Sequence, residues 1–503
     1  MSKRVYIAIL VVLGLGLGAA RGQEAAPAQQ EPGASPDSSQ PQQPVPAYGT
    51  DTNPAPPVSE NPPISGLDTP NLVPHAAPLS YLQPGAHVTE AVDSNIENSV
   101  GGSSARTVTS AEGSLKLQRL WRNYDLSLDY LGGFGYYNAP GIGVRQVEEL
   151  SVDQRVTWKR GELGIRDAFS YEPEGTFGSS YGSGASLGAG TVFFGGSSLG
   201  SLGQVPRILN VSLVDVTERL TPKSSVTVTG GYAFVHFLDN DPVTGTSFIG
   251  NSEVSAEAGY DRVLGPHDQG ALVYGYQGFQ FSTGVNLHTH VILLMWGHRI
   301  SGRMDFRVSA GPQFVETDHL LTPASPTQVG NPQCLVTNSR QGREVACPEN
   351  DSRISAAGRG SLLYRFPKVN LDLTYEHFTT GGSGLFAGAE SDIAVLSANR
   401  PLGRKWDLHT DLGYSRNSRL LPSSCASGQN CSGVNANVYQ YGFAGVAVSR
   451  SLGRNFRTFA RYQFNDLFFD NSYCGTVAHC NRSSQRQVGT IGLEWIPRPI
   501  RLD

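Results

Sequence analysis

The sequence predicts an all-β chain, a transmembrane antiparallel β-barrel of about 18 strands, within roughly 16–20. Three observations carry this. Period-two stretches about ten residues long recur through the chain, matching the length a tilted strand needs to cross a hydrocarbon layer. Their connections alternate between short and long. Charged residues make up only 16% of the chain, against roughly 25% in ordinary soluble domains.

The clearest hairpin lies at residues 150–171. Leu150, Val152, Val156 and Trp158 fall at every second position, interrupted by Gln154, while Ser151, Asp153, Arg155 and Thr157 fill the gaps. After Arg160-Gly161 the alternation restarts with Leu163, Ile165, Phe169 and Tyr171, interrupted by Asp167, against Arg166 and Ser170. A period of two gives a strand one apolar and one polar face. A tight link between two such strands is a hairpin.

Beyond the N-terminus no apolar run approaches the ~20 residues of a spanning helix, and mean hydropathy is −0.24. A barrel has this profile because its lumen face dilutes its lipid face. The net charge of −5 gives no footprint of nucleic-acid binding, so no nucleic-acid partner is expected.

Lys3 and Arg4 precede an apolar run at residues 5–17. Ala20-Arg21-Gly22 then places small residues where a signal peptidase reads. Residues 1–22 are therefore expected to be a signal peptide. Residues 23–84 are crowded with Pro, Gln, Ala and Ser, a composition that cannot bury enough apolar surface to order itself. This reads as a disordered periplasmic segment, either a plain tether or the holder of a periplasmic or polysaccharide partner. Residues 85–503 are assigned to the barrel.

Within that region alternation is clear at residues 115–118, 124–130, 226–234, 254–260 and 304–314. It continues at 354–366, 369–375, 406–414, 456–464 and 489–495. Weaker candidates lie at 87–93, 209–216, 272–276, 288–296, 393–398 and 439–448. With the opening hairpin these give an even number of strands, as bacterial barrels require. Short links such as Trp121-Arg122-Asn123, Thr221-Pro222-Lys223 and Ser301-Gly302-Arg303 alternate with long connections at 172–207, 316–351, 416–437 and 466–484. Short periplasmic turns and long external loops mark outer-membrane barrels.

Two further features obey the same parity. All six cysteines fall in long connections, as the near pairs Cys334 with Cys347, Cys425 with Cys431, and Cys474 with Cys480. In an exported chain this suggests three local disulfides. No metal site is expected, since the spacings match no compact ligand pattern. Trp121, Trp158, Trp296, Trp406 and Trp495 all lie at or near the short-turn ends, as an aromatic girdle at one membrane interface would.

The polar phase is expected to line a wet lumen of mixed charge. Its candidate pore-lining residues are Asp153, Arg155, Arg166, Asp305, Arg307, Arg359, Arg365, Asp372, Glu376, Asp407, Asp411, Arg457 and Arg461. Wall charges of this kind tune permeation in channels. The Gly- and Ser-rich connection at 172–207 is the third long one, with Phe193-Phe194 embedded. It is either a pore-narrowing loop or a surface loop.

No enzyme or cofactor is indicated. Asp407, His409 and Asp411 share one face, as do His288 and His290, and both sets read more simply as polar lumen positions without a nucleophile signature. Gly381-Gly382-Ser383-Gly384 follows a strand but lacks the helix and Lys of a phosphate cradle.

Three stretches carry a resemblance: Gly85-Ala86-His87-Val88-Thr89-Glu90 with Asp93-Ser94-Asn95, residues 381–388, and residues 412–417. They resemble porin-like outer-membrane β-barrel proteins of Gram-negative bacteria, some of which are associated with exopolysaccharide export. The resemblance implies outer-membrane lipid and the barrel-assembly machinery as partners. One departure concerns assembly: after Ile491, Leu493 and Trp495 the next outward position is Pro497, where many such barrels end in an aromatic residue. Two functions remain open: a channel for small hydrophilic solutes, and a non-conducting surface or exopolysaccharide-export-associated scaffold.

Overall fold

Alternating side chains commit each segment to a strand with a lipid face and a lumen face, and the observed strands follow that alternation. The structure, a computed structural model, describes residues 80–96, 104–139, 142–172, 205–239, 248–321, 335–339, 342–366, 368–403, 405–421, 436–474 and 481–502. The signal-peptide segment, the Pro-rich segment up to residue 79, and most of the third long connection lie outside the described residues.

The strands are β1 (Tyr81–Asp93), β2 (Arg106–Trp121), β3 (Tyr124–Tyr137), β4 (Gly143–Thr157), β5 (Gly161–Glu172), β6 (Arg207–Thr221) and β7 (Ser224–Phe237). They continue as β8 (Asn251–Val263), β9 (Asp268–Phe281), β10 (Asn286–Ser301), β11 (Met304–Leu321), β12 (Leu335–Ser339), β13 (Gly342–Arg365) and β14 (Asn370–Thr380). The last are β15 (Ala389–Pro401), β16 (Trp406–Arg419), β17 (Val438–Leu452), β18 (Phe456–Phe469), β19 (Ser483–Trp495) and β20 (Ile500–Arg501).

Each barrel strand pairs antiparallel with its sequence neighbours. The ring closes where β1 meets β19, from Ala86 opposite Trp495 to Asp93 opposite Val488. β12 pairs only with the outer part of β13, and β11 pairs directly with β13. β20 adds two residues beside the start of β1. Without these two short pieces the ring has 18 strands. Followed once round, the pairing registers accumulate a shear of about 22 residues, which sets a strand tilt of about 40°.

Several strands run further at the long-loop end than the alternation indicated. β3 continues through Gly132, Gly133 and Gly135 to Tyr137, where glycines blank the pattern. β1 already begins at Tyr81, four residues before the expected barrel boundary. Two connections at the long-loop end are short: β3 and β4 are joined by residues 138–142, and β9 and β10 by residues 282–285, with Gly284 at φ +83°.

The exterior is apolar. Val88, Val228, Val254, Leu272, Leu294, Ile354, Leu412 and Ile491 are exposed and share the outward phase of their strands. Each of the five Trp is 40–50% exposed, and all five stand at or near the short-turn end. Below them runs a polar rim, where Trp158 Nε1 donates to Glu218 Oε2 at 2.8 Å. A closed barrel with an apolar outer band is the architecture of a bacterial outer-membrane protein, and this chain is one.

Candidate functional site: the barrel lumen

The inward phase is polar because the outward phase is fixed by lipid. Asp153 and Arg155 on β4, Arg166 on β5, Asp305 and Arg307 on β11, and Arg359 and Arg365 on β13 stand opposite in phase to the exposed apolar side chains. So do Asp372 and Glu376 on β14, Asp407 and Asp411 on β16, and Arg457 and Arg461 on β18. The fold therefore spreads these thirteen residues round the inner wall rather than gathering them at one point.

Neighbouring strands pair many of them. Arg166 Nη2 donates to Asp215 Oδ1 at 2.6 Å, and Arg359 Nε lies 2.9 Å from Glu376 Oε1. Arg299 Nε lies 3.3 Å from Asp305 Oδ1, and His409 Nε2 lies 2.7 Å from Asp411 Oδ2. Arg457 sits 4.0 Å from Asp407 and also donates to Ser449 Oγ. Charges of both signs alternate over a few ångströms, so the wall is polar without a single-sign field.

Sequence reasoning missed other members of this wall. Asp93 and Arg486 pair across the β1–β19 seam, and both are buried. His87 pairs with Glu112 between β1 and β2. Asp215 completes the Arg166 pair. Their inward phase was readable from Val88 and Val92 on β1 and from Val214 and Val216 on β6, which point outward.

His288 and His290 require a correction. They share the phase of the exposed Ile292, Leu294 and Trp296 on β10, so they face outward and not into the lumen. Tyr276 and Tyr274, outward on β9, hydrogen-bond their Nδ1 atoms at 3.0 and 2.8 Å.

The larger omission is the connection between β14 and β15. Residues 381–388 turn through the 3-10 helix Gly382–Gly384 and fold into the long-loop mouth of the lumen, against inward-facing side chains. Leu385 and Phe386 are fully buried. They join a cluster containing Phe248, Ile393, Tyr439, Tyr441, Phe443, Leu467 and Phe469, with Phe237 against it. Burying two such side chains contributes about 1.5–3 kcal/mol each. The cluster draws on both β15–β18 and the β7–β8 region, so the loop bridges two separated walls.

Close backbone approach explains its glycines. A Cβ on Gly384 (φ +77°) would lie 2.6 Å from Phe237 Cζ, and one on Gly388 (φ +85°) 3.0 Å from Leu420 and 3.1 Å from Leu287. Ile249 N–H donates to the Gly384 carbonyl at 2.8 Å. Arg419 lies over the Phe386 ring at 4.6 Å. At the base, Thr380 and Ser391 hydroxyls meet at 2.7 Å and Ser391 donates to Asn417 Oδ1 at 2.6 Å. The short hairpin between β9 and β10 belongs to the same arrangement: Phe279, Phe281 and Leu287 pack with Ile249 and Val315, against Ala387 and Leu420. The readable signal was an apolar pair, Leu385-Phe386, in a glycine-rich connection that water alone would not favour.

Residues 173–204 of the third long connection lie outside the described residues, as do the side chains of five of the six cysteines. Cys474 ends a 3-10 turn, Asn471–Cys474. Among the described residues no group of three or more His, Cys, Asp or Glu is placed to hold a metal ion.

No family model and no curated protein matches the chain. Solved structures with a similar fold include the ferric-catecholate import receptor Fiu from E. coli K12, at 7% identity over 82% of this chain and 81% of that one, with a TM-score of 0.41. OccK2 (OpdF) from Pseudomonas aeruginosa is 9% identical over 84% and 98%, with a TM-score of 0.38. The outer membrane protein opdK from the same organism is 11% identical over 83% and 98%, with a TM-score of 0.36. At this level of overlap the functional reading rests on the chain's own residues.

Proposed function

We propose that the protein is an outer-membrane channel for small hydrophilic solutes, narrowed at its outer mouth by the 381–388 loop. One observation supports this above others: the inner wall is lined by charged residues of both signs, a surface that favours water. An 18-strand ring is wide enough to enclose an aqueous path. In this reading Arg359, Arg365, Asp372, Glu376 and their counterparts on β4, β5, β11, β16 and β18 tune which ions pass. In this reading the 381–388 loop does the narrowing, which was one of two roles open to the third long connection. No catalytic step is assigned. Insertion would depend on the barrel-assembly machinery.

The bridge between two walls also favours a second reading, a non-conducting barrel acting as a surface or polysaccharide-export scaffold. Planar-bilayer recording of the purified protein separates them. Discrete conductance steps that grow when residues 382–387 are replaced by a short Gly-Ser link support the channel. A folded barrel that stays silent with and without the loop overturns it in favour of the scaffold.

A further inference from the structure

The lipid-facing phase is interrupted near its middle by a hydrogen-bonded polar cluster. Asp167 on β5 shares the outward phase of the exposed Ile165, and Asn210 and Ser212 on β6 share that of the exposed Val214 and Val216. Ser212 Oγ donates to Asp167 Oδ2 at 2.5 Å. Asn210 Nδ2 reaches both Asp167 oxygens at 3.4 Å and the Ala168 carbonyl at 3.2 Å. Asp167 and Ser212 are direct pairing partners.

Depth makes this unusual. With the tilt and register of the ring, Asp167 and Ser212 stand about 12–15 Å from the polar rim of Arg119, Glu218 and Arg262. They lie about 10 Å below the polar row at the long-loop end, where His377 Nδ1 and Arg416 meet Asp392. At the same level elsewhere the outward residues include Val88, Tyr130, Leu294, Val308, Leu373, Leu412, Val446 and Ile491. A carboxylate on the lipid face is unfavourable, and ionisable residues inside a membrane generally face protein or water rather than lipid.

A second observation lies beside it. On the next two strands the outward residues at this depth are small, Gly230 on β7 and Ala256 and Ala258 on β8, and a Cβ on Gly230 would meet nothing within 4 Å. Small residues that allow close backbone approach, next to polar side chains that hydrogen-bond across, are the composition of contacts between membrane-embedded surfaces.

We infer that the outward face of β5–β8 is a contact between two copies of this chain related by a two-fold axis along the membrane normal. The patch is self-complementary, as an isologous contact requires. It carries a carboxylate acceptor and the amide and hydroxyl donors of Asn210 and Ser212 side by side, next to a recess at Gly230 between the exposed Val228 and Tyr232. Packing it against a second copy removes Asp167 from lipid.

Native mass spectrometry from mild detergent and from nanodiscs is expected to give a dimer for the wild-type chain. Asp167→Leu restores the apolar alternation, so it is expected to fold, as judged by heat-dependent gel mobility, and to run as a monomer. Gly230→Cys is expected to give a covalent dimer absent from the wild type, whereas Val446→Cys, on the far side of the ring, gives none. A wild-type monomer in both media overturns the inference. So does a dimer that survives Asp167→Leu, or one crosslinked as readily through Val446→Cys.

Discussion

The carbonyl of Gly384 accepts a hydrogen bond from the backbone N–H of Ile249 at 2.8 Å, joining the loop after β14 to the approach of β8. Phe386, two residues on, stands 5.2 Å from the ring of Tyr439. Between them these contacts fix a short peptide across the outer mouth.

Phe386→Ala is therefore expected to loosen the loop. Truncating a buried Phe typically costs about 3–5 kcal/mol, which falls here on loop docking because the ladder of the barrel does not depend on it. Hydrogen exchange at residues 382–388 should rise while exchange in the strands stays unchanged. Single-channel conductance should increase and become noisier.

The inner charges set ion preference. Replacing Arg359 and Arg365 with Glu is expected to shift reversal potentials towards cation preference, since fixed wall charge concentrates counter-ions in a narrow path. Folding should survive if the side chains face water. Reversal potentials that do not move in a folded, conducting double variant would exclude these positions from the permeation path.

Gly413 sits beneath an aromatic ring. A Cβ there would lie 1.9 Å from Phe443 Cε1, so Gly413→Val must displace a buried member of the outer apolar cluster. Overpacking of this kind costs about 1–3 kcal/mol. Urea unfolding in lipid vesicles should shift to lower midpoint, whereas Gly489→Ala, with nothing within 4 Å of its Cβ, should leave it in place.

The three proposed disulfides are testable by peptide mapping without reductant, which should recover Cys334 with Cys347, Cys425 with Cys431 and Cys474 with Cys480. Closing loops this short contributes roughly 2–3 kcal/mol each by the chain-entropy estimate. Reduction should increase proteolysis in the loops and leave the heat-modifiable barrel intact. Six free thiols in freshly isolated protein would sink the pairing.

The strands were legible because two solvents, lipid outside and water inside, impose the same two-residue period on every one of them. The short turns and the Trp girdle followed from the same asymmetry. Where glycine replaces a side chain, as at Gly132 and Gly133, the period goes silent although the ladder continues. The 381–388 loop was not legible because Leu385 and Phe386 are buried by residues far away in sequence, among them Phe248 and Phe469. His288 and His290 could have been placed correctly, since Ile292, Leu294 and Trp296 share their parity.

The seam between β1 and β19 extends past Trp495. Ile500 and Arg501 pair with Leu82 and Tyr81, Leu502 N–H donates to the Ser80 carbonyl at 3.1 Å, and Arg119 Nη1 donates to the Leu502 carbonyl at 2.9 Å. Gln83 Nε2 donates to the Pro497 carbonyl at 3.0 Å. The beginning of β1 thus waits for residues some four hundred positions later before its edge is covered. Until residues 497–502 are laid against it, that edge keeps its backbone donors and acceptors open. Bulk added directly behind residue 502 would crowd this seam, and an insertion in a long connection at the other end of the ring would not.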